Sequence, residues 1–285
     1  MRSAEERALG KLNLTLDVLG RRPDGYHEMR MILQTVDLAD DVTVAVGGDG
    51  WMCRCDGGAP QGKDNLALQA AEAFFARLGS RPEGLSVRIR KRIPMGGGMA
   101  GGSSDAAAVL RALNRLYGGP CSVEELRTVA AEVGSDVPFC VSGGAMLAEG
   151  RGERLTPLPP LPDCRFVLAR PLFSVSTPEL FARLDRAGIT GRPETEAAIH
   201  ALKNGDLPEL CRAMGNVFQP VLAAQFPEIG EICRELRSLG AMAAQITGTG
   251  SVVFGVFPDG DAAQTAAEKM RRAGVTVWVA RPAEV

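Results

Sequence analysis

A glycine-rich segment, PMGGGMAGGSSD at residues 94–105, carries the strongest chemical signal in this sequence. Five of the seven residues from Gly96 to Gly102 are glycines, although glycine loses more backbone entropy on folding than any other residue. The segment lies between a strand-like stretch and a helix-like stretch, and glycines before a helix let a phosphate approach its free N–H groups closely. The pattern predicts a phosphate loop, with ATP as the first candidate ligand. The alternative is a tight turn in which Ser103 or Ser104 caps the helix.

Two better-known phosphate motifs match the sequence by spacing alone. Gly96, Gly98 and Gly101 satisfy G-x-G-x-x-G, but the preceding strand alternates apolar and charged residues, unlike a central parallel strand. Residues 57–64 have the Walker A spacing, but Asp64 stands where Mg²⁺ needs a hydroxyl group. We therefore expect neither a dinucleotide-binding fold nor a Walker A loop.

Composition and charge exclude several classes of protein. The 285 residues carry 32 Lys and Arg against 34 Asp and Glu, without the basic excess typical of nucleic-acid binding. Two histidines are too few for multi-histidine metal chemistry, and seven cysteines without a Cys-x-x-Cys motif indicate reduced thiols. No apolar run is long enough to span a bilayer, and the first residues lack the apolar stretch of a signal peptide. We expect a cytosolic protein with neither a nucleic-acid nor a membrane partner, whose oligomeric state the sequence does not specify.

Strand-like and helix-like stretches alternate along the chain, which predicts a mixed α+β protein. Apolar and polar residues alternate from Lys11 to Leu19, as in a half-buried strand. Helices are predicted at 65–78, where Asp64 is the expected cap, at about 103–117, and after a capping box formed by Ser122 and Glu125. The later stretches predict a strand at 165–169, two strands flanking 248–250, a helix from about 261 and a final strand at 275–280.

A proline-rich segment marks the predicted domain boundary. Four of the six residues from Pro157 to Pro162 are prolines, which continue neither a helix nor a central strand. We place one domain at residues 1–157 and the other at 158–285.

The glycine-rich segment resembles the phosphate loop of the GHMP kinases, which bind ATP without a Walker A lysine. GSDVPF at 134–139 and TGTGSVVF at 247–254 match two further blocks of that family. KLNL at 11–14 and GRRPDGYH at 20–27 resemble the members that act on a CDP-linked methylerythritol. The resemblance spans essentially the whole chain. It implies a two-domain GHMP kinase fold, with an N-terminal lobe similar to ribosomal protein S5 domain 2 and a ferredoxin-like C-terminal lobe.

The resemblance also implies a reaction and its catalytic residues. ATP would phosphorylate the 2-hydroxyl of a small CDP-linked alcohol in the non-mevalonate isoprenoid pathway. Asp136 would accept the hydroxyl proton, and Lys11 would reach the same hydroxyl and stabilise the developing charge. From the residues alone, a helix cap is the favoured interpretation of Asp136 and a solvated lysine at a strand end that of Lys11; only the joint match to the family favours the catalytic roles. Mg²⁺ is expected with ATP, and Glu149, Ser103 and Ser104 are its candidate ligands by proximity alone.

The resemblance to the family also implies which residues bind ATP and the substrate. The implied ATP-binding residues are Pro94, Met95, Gly96, Gly97, Gly98, Met99, Ala100, Gly101, Gly102, Ser103 and Ser104, with Asn65, Lys91 and Asp105 toward the adenosine. The implied substrate-binding residues are Asn13, Tyr26, His27, Thr177, Phe181, Gly248, Thr249 and Gly250. Tyr26 and Phe181 match the family's pair of rings that stack on cytosine, and His27 matches its contact to the base edge. Phe181 reads equally as a helix core residue, Asn65 as a helix cap, and the loop 248–250 as a plain glycine hairpin.

Two departures from the family pattern are small. Ala100 stands where many members have glycine, and Gly10 replaces the usual alanine before Lys11. A kinase of the same family acting on homoserine or mevalonate is the nearest alternative, against which Tyr26 and His27 argue. A catalytically silent nucleotide-binding relative is a second alternative, against which Lys11 and Asp136 argue.

Overall fold

Two β-sheets form the centre of the computed structural model, which describes residues 2–58, 60–272 and 274–285. The eleven strands of the described residues are β1 Arg2–Arg21, β2 His27–Val46, β3 Gly50–Cys55, β4 Gly84–Arg90, β5 Ala145–Gly150, β6 Arg154–Pro157, β7 Arg165–Pro171, β8 Gly215–Asn216, β9 Ala243–Ile246, β10 Val253–Phe257 and β11 Val275–Ala280.

Ten α-helices in the same residues cover these sheets. They are α1 Leu66–Leu78, α2 Gly101–Leu116, α3 Val123–Val133, α4 Val137–Ser142, α5 Thr177–Ala187, α6 Thr195–Asn204, α7 Leu207–Ala213, α8 Gln219–Gln225, α9 Pro227–Ser238 and α10 Gly260–Met270.

The first sheet is built around the antiparallel pair of long strands β1 and β2. Its order is β3-β4-β2-β1-β8, and β5 pairs with the first part of β2 and carries β6 beside it. The register between β1 and β2 shifts between Leu9 and Lys11 and again between Asn13 and Thr15. Such bulges redirect side chains, and here they flank the two polar residues of β1 that the family resemblance singled out.

The second sheet is antiparallel throughout, in the order β11-β7-β10-β9. Helices α1 and α2 pack on the first sheet, and α9 and α10 pack on the second. Between the sheets lies a core to which the first contributes Leu12, Leu14 and Ile32 and the second contributes Phe166 and Phe254. Residues of α6 and α7 also belong to this core. The α+β class is confirmed.

Several predicted elements agree closely with the structure, and two details were wrong. Strand β11 has the predicted bounds, and the capping box of Ser122 and Glu125 begins α3. Asn65, and not Asp64, caps α1, because its side chain accepts from the N–H of Ala67. The stretch from Lys11 to Val18 in β1 is not half-buried, because both its apolar and its polar residues are covered: Asn13 is 1% exposed.

Backbone hydrogen bonds join the two halves of the chain at several points. The short strand β8 pairs in parallel with β1 at Thr15 and Leu16. After β11 the chain returns to β2, where Pro282 lies opposite Val36. The N–H of Ala283 donates to the carbonyl of Thr35 at 3.0 Å. Among the described residues, no helix has the length and apolar character needed to cross a membrane.

Candidate active site

Lys11 lies in the middle of β1 and not at a strand end. Its side chain is 4% exposed, so the interpretation of a solvated lysine was wrong. The ammonium donates to Asn13 Oδ1 at 2.7 Å and to the carbonyl of Gly98 at 2.8 Å. Asn13 Oδ1 also accepts from the N–H of Gly248 at 2.8 Å. Lys11 and Asn13 therefore join strand β1 to the glycine-rich segment and to the loop 247–251.

The glycine-rich segment is packed tightly between β1 and that loop. The N–H of Lys11 donates to Met99, and the N–H of Val252 donates to Gly97, both at 3.2 Å. A Cβ atom on Gly98 would lie 2.1 Å from the carbonyl oxygen of Thr247. Gly98 also has a φ of +79°, a conformation that favours glycine. Packing alone therefore requires a glycine at this position.

Gly102 differs from Gly98, because the space beside it is open. A Cβ atom there would meet only a side-chain atom of Leu66 at an ordinary distance of 3.6 Å. Gly102 lies in the first turn of α2, and Ala100 at the N-cap position makes no side-chain cap. Neither packing nor backbone geometry thus accounts for this glycine, which leaves the helix N-terminus accessible.

The predicted serine caps of α2 are not caps. Ser104 is buried and its hydroxyl donates to the carbonyl of Leu9 at 2.7 Å, which ties α2 to β1. Ser103 lies inside the first turn, and its hydroxyl makes no hydrogen bond within the described residues. The N–H groups of Gly102 and Ser103 likewise have no partner there. The first turn of α2 therefore presents unsatisfied donors, as an anion site requires.

Asp136 occupies the N-cap position of α4 without acting as its cap. Its side chain makes no capping hydrogen bond, so the interpretation as a plain helix cap was wrong. Helix α4 packs near β1, and the Asp136 carboxylate interacts electrostatically with Lys11. Within the described residues Asp136 has no side-chain hydrogen bond, which leaves its oxygens free to accept a proton.

Burial dominates the electrostatics of Lys11. Removal from water lowers the pKa of its ammonium below the ordinary value, while the charge of Asp136 opposes that shift. The thiol of Cys140 lies in the same environment, where burial raises its pKa to about 12. Cys140 is therefore an uncharged neighbour, and Asp136 is the principal negative partner of Lys11.

A buried cluster of Asp40, Lys91 and Asp105 lies behind the glycine-rich segment. The Lys91 ammonium contacts Asp40 and Asp105, whose side chains are 0% and 4% exposed. Asp40 also accepts from the backbone N–H groups of Arg92 and Ile93, which holds the end of β4 where the glycine-rich segment begins. Sequence reasoning missed Asp40, although two aspartates between Ala39 and Val42 in a strand are a signal that one of them has a buried partner.

The adenosine candidates are thus already engaged in internal contacts. Lys91 and Asp105 bind each other, and burial raises the pKa of Asp105 to about 7 while Lys91 opposes the shift. Asn65 accepts from Ala67 and donates to the carbonyl of Pro60 at 2.8 Å. The side chains of all three residues hold the surrounding structure in place.

His27 and Phe181 meet across the two halves of the chain. Their rings stack with centroids 4.6 Å apart, and Phe181 also meets Phe218 edge-on at 4.8 Å. His27 Nε2 lies 2.8 Å from Asp185 Oδ1, a contact that sequence reasoning missed. Phe181 is half-buried and packs against the core, as its interpretation as a helix core residue predicts.

Tyr26 is an exposed member of the predicted site. Its side chain is 55% exposed, and the guanidinium of Arg151 lies 4.9 Å from its ring centroid. The ring therefore offers its other face to a ligand. Sequence reasoning did not identify Arg151.

The loop 247–251 has side-chain contacts that a plain hairpin lacks. Asn216 donates to the carbonyls of Ile246 and Gly248, at 3.1 and 2.9 Å. Thr249 Oγ1 lies 3.0 Å from Thr177 Oγ1, so the loop meets the start of α5. Gly250 follows directly, with a φ of +83°. The structure thus brings Thr177 close to Thr249, and Gly248 close to Asn13.

Two of the three candidate Mg²⁺ ligands point elsewhere. Glu149 pairs with Arg30 at 3.5 Å, and Ser104 donates to Leu9. Within the described residues, no group of three or more His, Cys, Asp or Glu side chains is arranged to hold a metal ion. Ser103 alone of the three retains a free oxygen beside the helix N-terminus.

Comparison with known proteins agrees with this geometry. The GHMP kinases N terminal domain model matches residues 65–144, and the GHMP kinases C terminal model matches residues 198–276. The 4-diphosphocytidyl-2-C-methyl-D-erythritol kinase of Pelotomaculum thermopropionicum is 40% identical over 276 residues, which are 96% of each chain. That of Bacillus pumilus is 42% identical over 254 residues, 88% of this chain and 87% of its own.

A solved structure of a similar kinase also matches this chain. A crystal structure of 4-(cytidine 5'-diphospho)-2C-methyl-D-erythritol kinase superposes with a TM-score of 0.83 at 35% identity and covers 98% of both chains. Relatives of this identity, aligned over nearly the full length, share more than a fold. The chain belongs to the 4-diphosphocytidyl-2-C-methyl-D-erythritol kinase family of the GHMP kinases.

Proposed function

We propose that this protein transfers the γ-phosphoryl group of ATP to the 2-hydroxyl of 4-diphosphocytidyl-2-C-methyl-D-erythritol. The observation that carries the proposal is the position of Lys11. This buried cation contacts the glycine-rich segment and Asn13, and it interacts with the unpaired carboxylate of Asp136. A phosphoryl transfer site needs these groups together: a phosphate loop, a cation and a proton acceptor.

Asp136 is the proposed proton acceptor. The substrate oxygen forms a bond to the γ-phosphorus as the bond to the ADP oxygen breaks, and the hydroxyl proton passes to the Asp136 carboxylate. The ammonium of Lys11 stabilises the negative charge that develops on the transferring group. Because Lys11 is buried and already hydrogen-bonded, it needs little reorganisation when that charge appears.

The first turn of α2 is the proposed binding site for the ATP phosphates. The free N–H groups of Gly102 and Ser103 lie at the positive end of the helix dipole and would donate hydrogen bonds to the phosphate oxygens. The open space beside Gly102 supports this assignment, since a side chain there would stand where the phosphate approaches. The other residues from Pro94 to Ser104 shape the loop that surrounds this turn.

Mg²⁺ is proposed to arrive with ATP and to be held mainly by phosphate oxygens. Ser103 is the residue that would complete its coordination, because its hydroxyl is free. When bound, the ion neutralises charge on the β- and γ-phosphates. The small number of available protein ligands fits an ion that keeps several waters.

The cytidine end of the substrate is proposed to bind among Tyr26, His27 and Phe181. Tyr26 offers one open ring face, and the half-buried ring of Phe181 lies beside His27. We assign Asn13 to the methylerythritol end of the substrate and, to its diphosphate, Thr177, Gly248, Thr249 and Gly250. The proposal includes domains at residues 1–157 and 158–285, supported by family matches that fall on either side of the proline-rich segment.

A substrate panel tests the proposed function. Purified protein with ATP and Mg²⁺ is assayed for ADP release with 4-diphosphocytidyl-2-C-methyl-D-erythritol, homoserine and mevalonate in parallel. Turnover with the cytidine substrate alone supports the proposal. Preference for homoserine or mevalonate would reassign the substrate, and ATP binding without any turnover would indicate a nucleotide-binding protein without catalytic activity.

A further inference from the structure

Asp185 is held against His27 by the geometry of helix α5. Phe181 and Asp185 are one helical turn apart on α5, so their side chains face the same side. Phe181 stacks on the His27 ring, and Asp185 Oδ1 contacts His27 Nε2 at 2.8 Å. The imidazole is 13% exposed, while the Asp185 side chain is 44% exposed. The ring is therefore fixed by a stacking contact on its face and a polar contact at one edge.

This contact determines which nitrogen of His27 carries a proton. A carboxylate only accepts hydrogen bonds, so Nε2 must donate and therefore bears hydrogen. In the neutral imidazole, Nδ1 is then an acceptor. Within the described residues Nδ1 has no hydrogen-bond partner, so this acceptor remains available to a ligand.

The stacking geometry specifies how a base would meet that acceptor. The planes of His27 and Phe181 differ by 29°. A flat ring that hydrogen-bonds Nδ1 within the imidazole plane thus lies roughly parallel to the Phe181 ring. On its base-pairing edge cytosine has an exocyclic 4-amino group, which donates a hydrogen bond. Uracil has a carbonyl oxygen at the same position, which accepts one. An acceptor at Nδ1 therefore favours cytosine and opposes uracil.

We propose that Asp185 is a positioning residue that determines base specificity, by holding His27 with Nδ1 as an acceptor for the 4-amino group of cytosine. Asp185 does not touch the substrate itself. The inference rests on the proposed function, because it assigns a role within the proposed cytidine site. It adds a residue outside the motifs that carried the family resemblance.

The test compares three variants of helix α5 with the wild-type protein. Asp185→Ala removes the acceptor, Asp185→Asn retains an oxygen that accepts from Nε2–H, and Glu179→Ala removes an exposed carboxylate that pairs with Arg183. The measured quantity is kcat/KM for 4-diphosphocytidyl-2-C-methyl-D-erythritol and for its uridine counterpart. Because the Asp185 carboxylate is partly exposed, we expect Asp185→Ala to raise KM for the cytidine substrate about 5-fold and to lower the cytidine-to-uridine ratio by a similar factor. Asp185→Asn is expected to stay within about 2-fold of wild type, with Glu179→Ala unchanged.

A spectroscopic measurement separates this role from a structural one. Two histidines occur in the chain, so two-bond ¹H–¹⁵N spectra of labelled protein resolve both rings, and His200→Asn assigns them. We expect the Nε2–H tautomer for His27 in the wild type and a detectable Nδ1–H fraction in Asp185→Ala.

These measurements distinguish failure of the proposed function from failure of the role assigned to Asp185. A wild-type protein that does not phosphorylate the cytidine substrate would refute the proposed function. A wild-type protein that does so, with unchanged base preference and unchanged tautomer in Asp185→Ala, would refute the role of Asp185 alone. Equal loss of activity with both bases, without a change in tautomer, would also overturn it.

Discussion

The ammonium of Lys11 and the carbonyl oxygen of Gly98 are joined by a 2.8 Å hydrogen bond. The same carbonyl is 3.3 Å from Thr247 Oγ1, so one oxygen of the glycine-rich segment contacts a strand of the first sheet and a loop of the second. A change in the path of this segment would therefore move Lys11. If the proposed function holds, phosphate binding at this segment and the position of Lys11 are coupled through this one peptide group.

Asp136→Asn is expected to lower kcat by about 10²- to 10⁴-fold, the usual effect of losing a positioned proton acceptor. The amide preserves shape and removes the charge, so KM for both substrates should change little. Steady-state kinetics measure the effect, and circular dichroism checks that the variant is folded. Turnover within a few-fold of wild type would show that Asp136 is not the base.

Gly98→Ala and Gly102→Ala are expected to separate packing from phosphate binding. At Gly98 the new Cβ would lie 2.1 Å from Thr247, so we expect a loss of more than about 2 kcal/mol of stability. At Gly102 the Cβ has room, so stability should be retained while KM for ATP rises about 10-fold. Thermal unfolding and kinetics with both substrates measure the two effects. An unchanged KM for ATP in a folded Gly102→Ala protein would place the phosphates elsewhere.

Asp105 should make stability depend on pH. Burial raises its pKa from 3.8 to about 7, so the folded protein holds this proton more tightly than the unfolded chain. Its contribution to the free energy of unfolding is complete below pH 3.8 and is lost as pH rises through about 7. Asp105→Asn has no such proton to lose. The difference in Tm between wild type and Asp105→Asn should therefore shift in favour of the variant between about pH 5 and pH 8. Parallel curves would contradict the assignment.

Tyr26→Ala is expected to weaken binding of the cytidine substrate about 5- to 150-fold, since one stacked base face contributes about 1 to 3 kcal/mol. Affinity for ATP should barely change. Tyr26→Phe keeps the ring and should be much milder, because the exposed hydroxyl makes no required contact among the described residues. Calorimetric titration with the cytidine substrate measures both variants. An unchanged Kd in Tyr26→Ala would place the base elsewhere.

Ala100→Gly is expected to stabilise the protein slightly. Ala100 has a φ of +57°, which costs about 1 to 2 kcal/mol for a residue with a side chain. Glycine removes that strain and loses about 0.5 to 1 kcal/mol through greater freedom of the unfolded chain. We expect a rise in Tm of about 1 to 2 °C, whereas Ala76→Gly on the exposed face of α1 should lower it. A lower Tm in both variants would show that the strain at Ala100 is negligible.

Local patterns in the sequence predicted much of the fold. The capping box at Ser122 and the final strand at 275–280 depend on neighbours within a few residues, and both are confirmed. The burial of Asn13 depends on the loop 247–251, which lies more than 200 residues away in the chain. No periodicity within β1 carries that information.

In the candidate site, too, motifs in the sequence predicted some residues, whereas contacts between distant residues could not be predicted. Lys11, Asp136 and the glycine-rich segment were identified through motifs, and the structure brings them together. Asp40, Arg151 and Asp185 contact predicted site residues, but each lies far from its partner in sequence. The structural reason for Gly98 was also inaccessible, because it depends on the approach of Thr247. Roles that depend on contacts between residues distant in the sequence become visible only after folding.

The path of the last residues affects how the protein can be divided. Pro282 and Glu284 lie against Val36 and Gly143, so the last residues lie beside the first sheet, to which strand β1 also belongs. A polypeptide beginning at residue 158 would therefore carry, at its own C-terminus, a segment whose pairing partner is in the other fragment. Halves cut at the proline-rich segment are accordingly suited to split-protein reconstitution, in which each fragment completes the other.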